Sequence, residues 1–197
     1  MISLIVLAAG KSTRFGKNKL LYKIGEHTVI ERVVRAALGS EADEVILVLG
    51  HDAERVRREL AGAECKLVYN SAFEEGQSSS VKIGVALAAE HSEAAMILPG
   101  DIALIRSEAI DKVIEEYRRT GNSIVVAAYQ GRHGHPILFD KSLFREIAQI
   151  NEETQGLKAI VKRHREQIRQ VEVGSPEVLF DLDTEEDIRR LSTFSEI

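Results

Sequence analysis

A chain of 197 residues can bury a core of ordinary size and falls in the range of one domain rather than two. Its 44% hydrophobic and 29% charged residues are those of an average globular protein, which excludes disordered and fibrous chains. A formal net charge of -5 argues against the surplus of Lys and Arg that a nucleic-acid-binding face requires. The single cysteine, Cys65, allows no intrachain disulfide, so nothing favours an oxidising compartment. No apolar run approaches the roughly 18 to 20 residues that span a bilayer, and the apolar start lacks the basic leader of a secretory signal. The expected location is the cytoplasm, without a membrane or nucleic-acid partner.

In chain order, residues 2–7 form an apolar run of strand length, and a loop rich in Gly, Ser, Lys and Arg follows. Ile30, Val33, Val34, Ala37 and Leu38 repeat with the period of an amphipathic helix. A second strand is expected over 44–49, a helix capped by Asp52 and running to Leu60, and a third strand over 65–69. Residues 78–89 read as helix and 95–98 as a buried strand. Ser107 is the N-cap candidate for a helix whose apolar face is Ile110, Val113, Ile114 and Tyr117, and a strand follows over 123–129. Beyond it the pattern predicts a short strand over 136–139, helices over 142–149 and 156–164, and strands over 168–173 and 178–181. A last helix begins at Thr184, with Asp187 standing in for the Glu of a capping box. Strands apolar throughout that alternate with helices require a sheet covered on both faces. The expected fold class is α/β, a doubly wound, mostly parallel (mixed), Rossmann-like sheet.

In such a sheet ligands bind outside the carboxyl ends of the strands, so the loop after the first strand is the first candidate site. Lys11, Arg14, Lys17, Lys19 and Lys23 concentrate positive charge there in an otherwise acidic chain, which suits a small anionic ligand. Gly10 and Gly16 let the backbone approach a ligand, while Ser12, Thr13 and free backbone N–H groups can donate to phosphate oxygens. Arg14 offers a planar fork of donors, and Lys19 a mobile point charge able to follow a transferring phosphoryl group. The loop is not a Walker A loop, because Gly10 and Gly16 enclose five residues and Asn18 follows Lys17. A G-x-G-x-x-G is also missing, which sets aside a dinucleotide-dependent oxidoreductase.

Four further places are candidates for chemistry. Leu98-Pro99-Gly100-Asp101 ends a buried strand and brings a carboxylate to the mouth of the sheet, where Mg²⁺ could be shared with phosphate oxygens. Strand alternation puts Asp181 and Asp183 on one face, and Asp183 is either a second metal ligand or a residue favouring the dipole of the helix begun by Thr184. Ser78, Ser79 and Ser80 start a helix whose N-terminus suits a base, ribose or phosphate, or is simply capped. His133 and His135 lie in a Gly-containing turn without the third ligand of a zinc site.

Residues 7–19, Leu7-Ala8-Ala9-Gly10-Lys11-Ser12-Thr13-Arg14-Phe15-Gly16-Lys17-Asn18-Lys19, match the pattern L-A-[AG]-G-x-S-x-R-[MF]-G-x-x-K. In this the chain resembles the nucleotidyltransferases similar to molybdenum cofactor cytidylyltransferase and guanylyltransferase. Asn70, Gly76, Ser80 and Gly84, the segment ending at Asp101, the stretch Gly131-Arg132-His133-Gly134-His135-Pro136 and Asp181-Leu182-Asp183-Thr184 fit the same resemblance in order, over essentially the whole chain. One departure is Ile102-Ala103, where the family often has Pro two residues after the Asp. The resemblance implies Mg²⁺-dependent transfer of a nucleoside monophosphate to a phosphorylated acceptor, with release of pyrophosphate and no covalent enzyme intermediate. It implies that Leu7, Ala8, Ala9, Gly10, Ser12, Gly76 and Ser80 bind the nucleotide and that Arg14, Lys19 and Asp101 are catalytic. Asp101 and Asp183 would hold the metal, and Gly134 and His135 would meet the acceptor. Residues 1–129 would form the nucleotide-binding part and 130–197 the acceptor-binding part of one domain. Ala9 and the G-H-P stretch are of the cytidylyltransferase form, so CTP is the expected nucleotide and molybdopterin cofactor the expected acceptor. The implied partner is a molybdenum enzyme or its maturation chaperone. Sugar-phosphate and phospho-alcohol cytidylyltransferases share the phosphate loop, and a non-catalytic nucleotide-binding maturation factor would keep the fold. Arg14, Lys19, Asp101 and Asp183 together favour an enzyme.

Overall fold

The computed structural model describes residues 1–12, 15, 18–182, 184, 186 and 187. Strand β1 (Ile2–Ala8) is followed by a two-stranded ribbon, β2 (Lys23–Ile24) and β3 (His27–Thr28), and by helix α1 (Val29–Leu38). Then come β4 (Glu44–Leu49), α2 (Ala53–Glu59), β5 (Lys66–Tyr69), α3 (Gln77–Ala88), β6 (Ala94–Pro99) and α4 (Ser107–Thr120). The remainder is β7 (Ile124–Tyr129), β8 (Arg132–Asp140), α5 (Phe144–Ile147), α6 (Leu157–Arg163) and β9 (Ile168–Glu172). The main sheet has seven strands in the order β5-β4-β1-β6-β8-β7-β9. All run the same way except β8, which is antiparallel to β6 and β7. This is the mixed, mostly parallel α/β sheet expected from the alternation of apolar runs and helices.

Every residue of β1 is buried because both sheet faces are covered. Leu4 and Val6 join the core formed with α1, α2 and α4, while Ile5 and Leu7 point to the opposite face and join the core with α3, α5 and α6. Helix α3 lies close on β1 because residue 84 is glycine: a Cβ there would stand 2.5 Å from Ile5 Cγ2. Gly84 therefore serves helix–sheet packing. No helix among the described residues is long and apolar enough to cross a membrane.

Several local expectations are corrected. Thr28 caps α1 in a full capping box with Glu31, a feature the apolar period does not reveal. Asp52 stands at the N-cap of α2 but in the left-handed region, φ 55, with no side-chain cap bond, its carboxylate facing Asn18 and Arg55 instead. The N-cap of α4 is Arg106, and Ser107 is the first helical residue. The short strand around Pro136 is nine residues long because its first residues, Arg132 and His133, pair with β7, and a register shift between Val126 and Ala128 falls opposite a proline that cannot donate to the ladder. The His135–Pro136 peptide is cis. The region expected as one helix over 142–149 is a 3₁₀ turn, Lys141–Leu143, running into α5. The run expected as a strand over 178–181 is overturned by a 3₁₀ turn, Pro176–Leu179, in which Val178 is fully buried. Burial made that run apolar, and Pro176 in its first turn favours helical over ladder geometry. The Thr184 backbone N–H and hydroxyl donate to Asp187 Oδ2 at 2.7 and 2.8 Å, and Asp187 N–H returns to Thr184 Oγ1, so the acidic capping box is formed.

At the opposite edge of the sheet from the strands' carboxyl ends, Glu44 takes hydrogen bonds from Ser3 and His91 and lies 2.7 Å from Lys66 Nζ. Burial pushes its carboxyl up, but the bonds from Lys66, Ser3 and His91 outweigh it and hold the group below its ordinary 4.5. A depressed folded pKa means stability that is present above the unfolded value and lost as pH falls through the folded one. Glu44→Gln is therefore expected to cost about 1 to 3 kcal/mol near neutral pH. The difference from wild type should shrink toward zero in acid, as read by denaturant unfolding at neutral and acid pH.

Candidate active site

Strands β1 and β6 are parallel neighbours, and Leu7 lies opposite Pro99 at their carboxyl ends. Gly100 N–H donates to Leu7 O at 2.9 Å, and a Cβ on Gly100 would lie 2.8 Å from that oxygen. Glycine thus permits the tight turn that delivers Asp101 beside the loop leaving β1. Between them opens a cleft of about 460 Å³ whose walls include Gly10, Ser12, Lys19, Gly76, Ser80 and Asp101, with Leu7 and Ala9 at its base. Ala8 is the last residue of β1 and is buried. A Cβ on Gly10 would meet nothing within 4 Å, so the fold itself does not demand glycine there and the backbone is left open to the cleft. Ser12 adopts a positive φ of 52.

Two features that sequence reasoning missed brace this loop. His51 N–H donates to Ala9 O at 3.1 Å, and Gly50 packs so closely that a Cβ would lie 2.7 Å from both Ala9 Cβ and Phe73 Cβ. Lys11 crosses the mouth to pair with Glu74, holding that carboxyl below its usual range, with the Lys11 ammonium 5.7 Å from the Phe73 ring centroid. A glycine closing β4 was the available signal for the first; nothing local marks the second.

Lys19 opens a 3₁₀ turn, Lys19–Leu21, whose Leu20 N–H is taken by the Asn18 side chain at 3.1 Å. Its Nζ lies 2.5 Å from Asp101 Oδ2, and both side chains are only 16% exposed. The other carboxylate oxygen, Asp101 Oδ1, is buried without a hydrogen-bond partner among the described residues. Buried polar atoms are normally satisfied, and a hard cation that takes oxygen ligands fits this one. Leu182 N–H donates to Asp101 O at 3.3 Å, so the chain just before Asp183 runs against the same residue. Arg14 and Asp183 themselves lie outside the described residues, as do Thr13, Gly16 and Lys17. Among the described residues no group of three or more His, Cys, Asp or Glu is assembled as a metal cluster.

The facing wall is the start of α3. Asn70 is fully buried, and its amide donates to Ser79 Oγ and Ser80 Oγ at 2.8 and 2.9 Å while its carbonyl accepts Ala72 N–H. Ser79 Oγ donates to Gly76 O at 2.7 Å. Asn70 and Ser79 are therefore internal braces, whereas Gly76 and Ser80 face the cleft. The Ser78 N–H, which could have met a phosphate, is already held by the Glu152 carboxylate at 2.7 Å.

A second cavity of about 850 Å³ adjoins this wall and shares Gln77 with the first. Gly134, His135, Glu152 and Asp181 line it. His135 Nδ1 is sealed from solvent without a partner among the described residues. Burial pushes the imidazole below its usual range, against the pull of Asp101 and Asp181. Gly134 is glycine because a Cβ would stand 2.2 Å from Val178 O. The close approach it allows within the protein is thus to the Pro176–Leu179 turn.

The domain family described as MobA-like NTP transferase matches residues 4–168, an interval holding Lys19, Gly76, Ser80 and Asp101. The chain belongs to the MobA-like NTP transferase family. Rv0371c from Mycobacterium tuberculosis H37Rv is similar over 96% of each chain, with a TM-score of 0.85 and 29% identity. A complex of Rv0371c with manganese gives 0.81 at 27% identity, covering 96% of this chain and 97% of that one. The 4-diphosphocytidyl-2C-methyl-D-erythritol synthase of Anaerococcus prevotii shares the fold at 20% identity, TM-score 0.79, over 100% of this chain and 96% of the other. Among curated proteins, the bifunctional protein GlmU of Cereibacter sphaeroides is 31% identical over 153 residues, which is 74% of this chain. The chain spans about a third of the length of that relative, 33%.

Proposed function

We propose that this chain transfers CMP from CTP to molybdopterin cofactor, with Mg²⁺ and release of pyrophosphate. The observation that carries the reading is the Lys19–Asp101 pair, shielded at the carboxyl ends of two adjacent strands beside an open glycine loop, with Asp101 Oδ1 unsatisfied among the described residues. A phosphate oxygen of the acceptor attacks the α-phosphorus, the bond to the bridging oxygen breaks, and pyrophosphate leaves with its electron pair. Such chemistry asks a protein for positioning and charge stabilisation. Ser12 and the backbone around Gly10 hold the triphosphate, and Lys19 releases Asp101 to follow the charge that builds on the leaving group. Asp101 with Asp183 would hold Mg²⁺, which would supply positive charge against the phosphates, and Arg14 would fork onto them. Gly76 and Ser80 face the nucleoside. The second cavity takes the acceptor through Gly134 and His135, with Arg132, Lys158 and Lys162 exposed at its rim. On this reading residues 1–129 and 130–197 are the nucleotide and acceptor parts of one cytoplasmic domain that serves a molybdenum enzyme or its maturation chaperone.

The manganese complex of Rv0371c supports a divalent cation. The likeness to the Anaerococcus synthase favours a second reading, cytidylyl transfer to a phospho-alcohol. A matrix of nucleoside triphosphates against phosphorylated acceptors, read by pyrophosphate release, tests both. CTP with molybdopterin is expected to exceed every other pair by at least about tenfold. Release only with a phospho-alcohol establishes the second reading, and no release with any pair removes the enzyme.

A further inference from the structure

Helix α3 starts on Gly76, a residue with no side chain to offer its first turn and with φ at 100, a conformation that favours glycine. The acceptor comes instead from Glu152 in the acceptor part of the chain, whose Oε1 takes the Ser78 N–H. The Glu152 side chain lies directly over Gly76, where a Cβ would stand 2.4 Å from Glu152 Cγ. Four residues later Gly156 packs on the same point, its missing Cβ only 2.8 Å from Ser78 Oγ.

The turn bearing these contacts is braced from within. Asn151 Oδ1 accepts Thr154 N–H at 2.9 Å, Asn151 O accepts Gly156 N–H at 2.9 Å, and Glu152 O accepts Gln155 N–H at 3.1 Å. A turn closed by three such bonds fixes the direction in which Glu152 reaches. Gly76 and Ser80 line the first cleft, whereas Glu152 and Gly156 line the second, so the Glu152–Ser78 bond is a joint between the two.

We infer that Glu152 is a positioning residue for the nucleoside: from the acceptor side it holds residues 76–80 in the conformation that meets the base and ribose. The inference rests on the nucleotidyltransferase reading given above. The triphosphate is held elsewhere, by the loop after β1, with which Glu152 makes no hydrogen bond or ion pair among the described residues. A lost brace should therefore weaken recognition of the nucleoside and spare recognition of the phosphates.

Titration calorimetry of the full chain in Mg²⁺, with CTP and separately with inorganic tripolyphosphate, tests it. Glu152→Ala is expected to weaken CTP about tenfold, the worth of one charge-assisted hydrogen bond, and to leave tripolyphosphate within about twofold. Glu152→Gln, which keeps a carbonyl oxygen for the Ser78 N–H, is expected to restore CTP to within about threefold of wild type. Equal loss for both ligands in Glu152→Ala, loss for neither, or a Gln variant as weak as the Ala variant overturns the inference. Wild-type protein that binds neither ligand overturns the nucleotidyltransferase reading and this inference with it.

Discussion

Asp101→Asn is expected to lower pyrophosphate release by about 10² to 10³-fold, the usual loss when one preorganised charge-stabilising group leaves a site. The substitution keeps shape and removes charge. It removes the negative charge that faces Lys19 at 2.5 Å, and the carboxylate whose Oδ1 is sealed without a hydrogen-bond partner among the described residues becomes a neutral amide. The fold should persist, because Asp101 O still accepts the Ala103 and Leu182 N–H groups, while the loss of the shielded ion pair with Lys19 costs about 1 to 3 kcal/mol. Steady-state turnover together with thermal melting separates the two effects. Turnover within about tenfold of wild type would remove Asp101 from the reacting centre.

Gly134→Ala is expected to be the costliest single methyl group at any glycine among the described residues. The Val178 carbonyl carbon and oxygen, which a Cβ would approach to 2.7 and 2.2 Å, are backbone atoms and cannot swing aside like the end of a side chain. Either β8 or the Pro176–Leu179 turn must move, at about 1 to 3 kcal/mol or more. For a domain of this size that lowers the melting temperature by roughly 2 to 4 °C per kcal/mol. The same displacement reaches Leu182 and its bond to Asp101, so turnover should fall together with stability. Gly10→Ala is the control: with open space around the new methyl group, it should melt like wild type while losing affinity for CTP. A Gly134→Ala chain as stable as wild type would contradict the packing described here.

Which parts of this were legible beforehand follows from how far each signal travels along the chain. β1 and β4 are readable because a strand covered on both faces is apolar at every position, and the ends of β4 fall at Glu44 and Leu49 as expected. The same logic fails at Val178, since a buried turn is as apolar as a buried strand. It also shortens β8, whose first residues Arg132 and His133 are exposed and hence look like loop. In the candidate site, the glycine- and lysine-rich loop and Asp101 announce themselves because each follows a buried strand. That Lys19 pairs with Asp101 cannot be read so, because it depends on two strands far apart in sequence lying side by side. Glu152 is further out of reach: 74 positions separate it from Ser78, and an exposed Glu in a polar turn carries no local mark of what it touches.

The lone reversed strand has a consequence for how such a molecule can diversify. Because β8 runs against β6, with Ile137 opposite Ile97, its beginning rather than its end lies at the rim where Asp101 sits. The hairpin from Tyr129 to Arg132, which follows β7, and the start of β8 therefore lie on that same side of the sheet, where Arg132, Gly134 and His135 line the second cavity. On the proposed function, changes there would alter which acceptor the second cavity takes while the cleft around Lys19 and Asp101 stays as it is. A single backward strand would thus let one half of the proposed chemistry drift while the other half is kept.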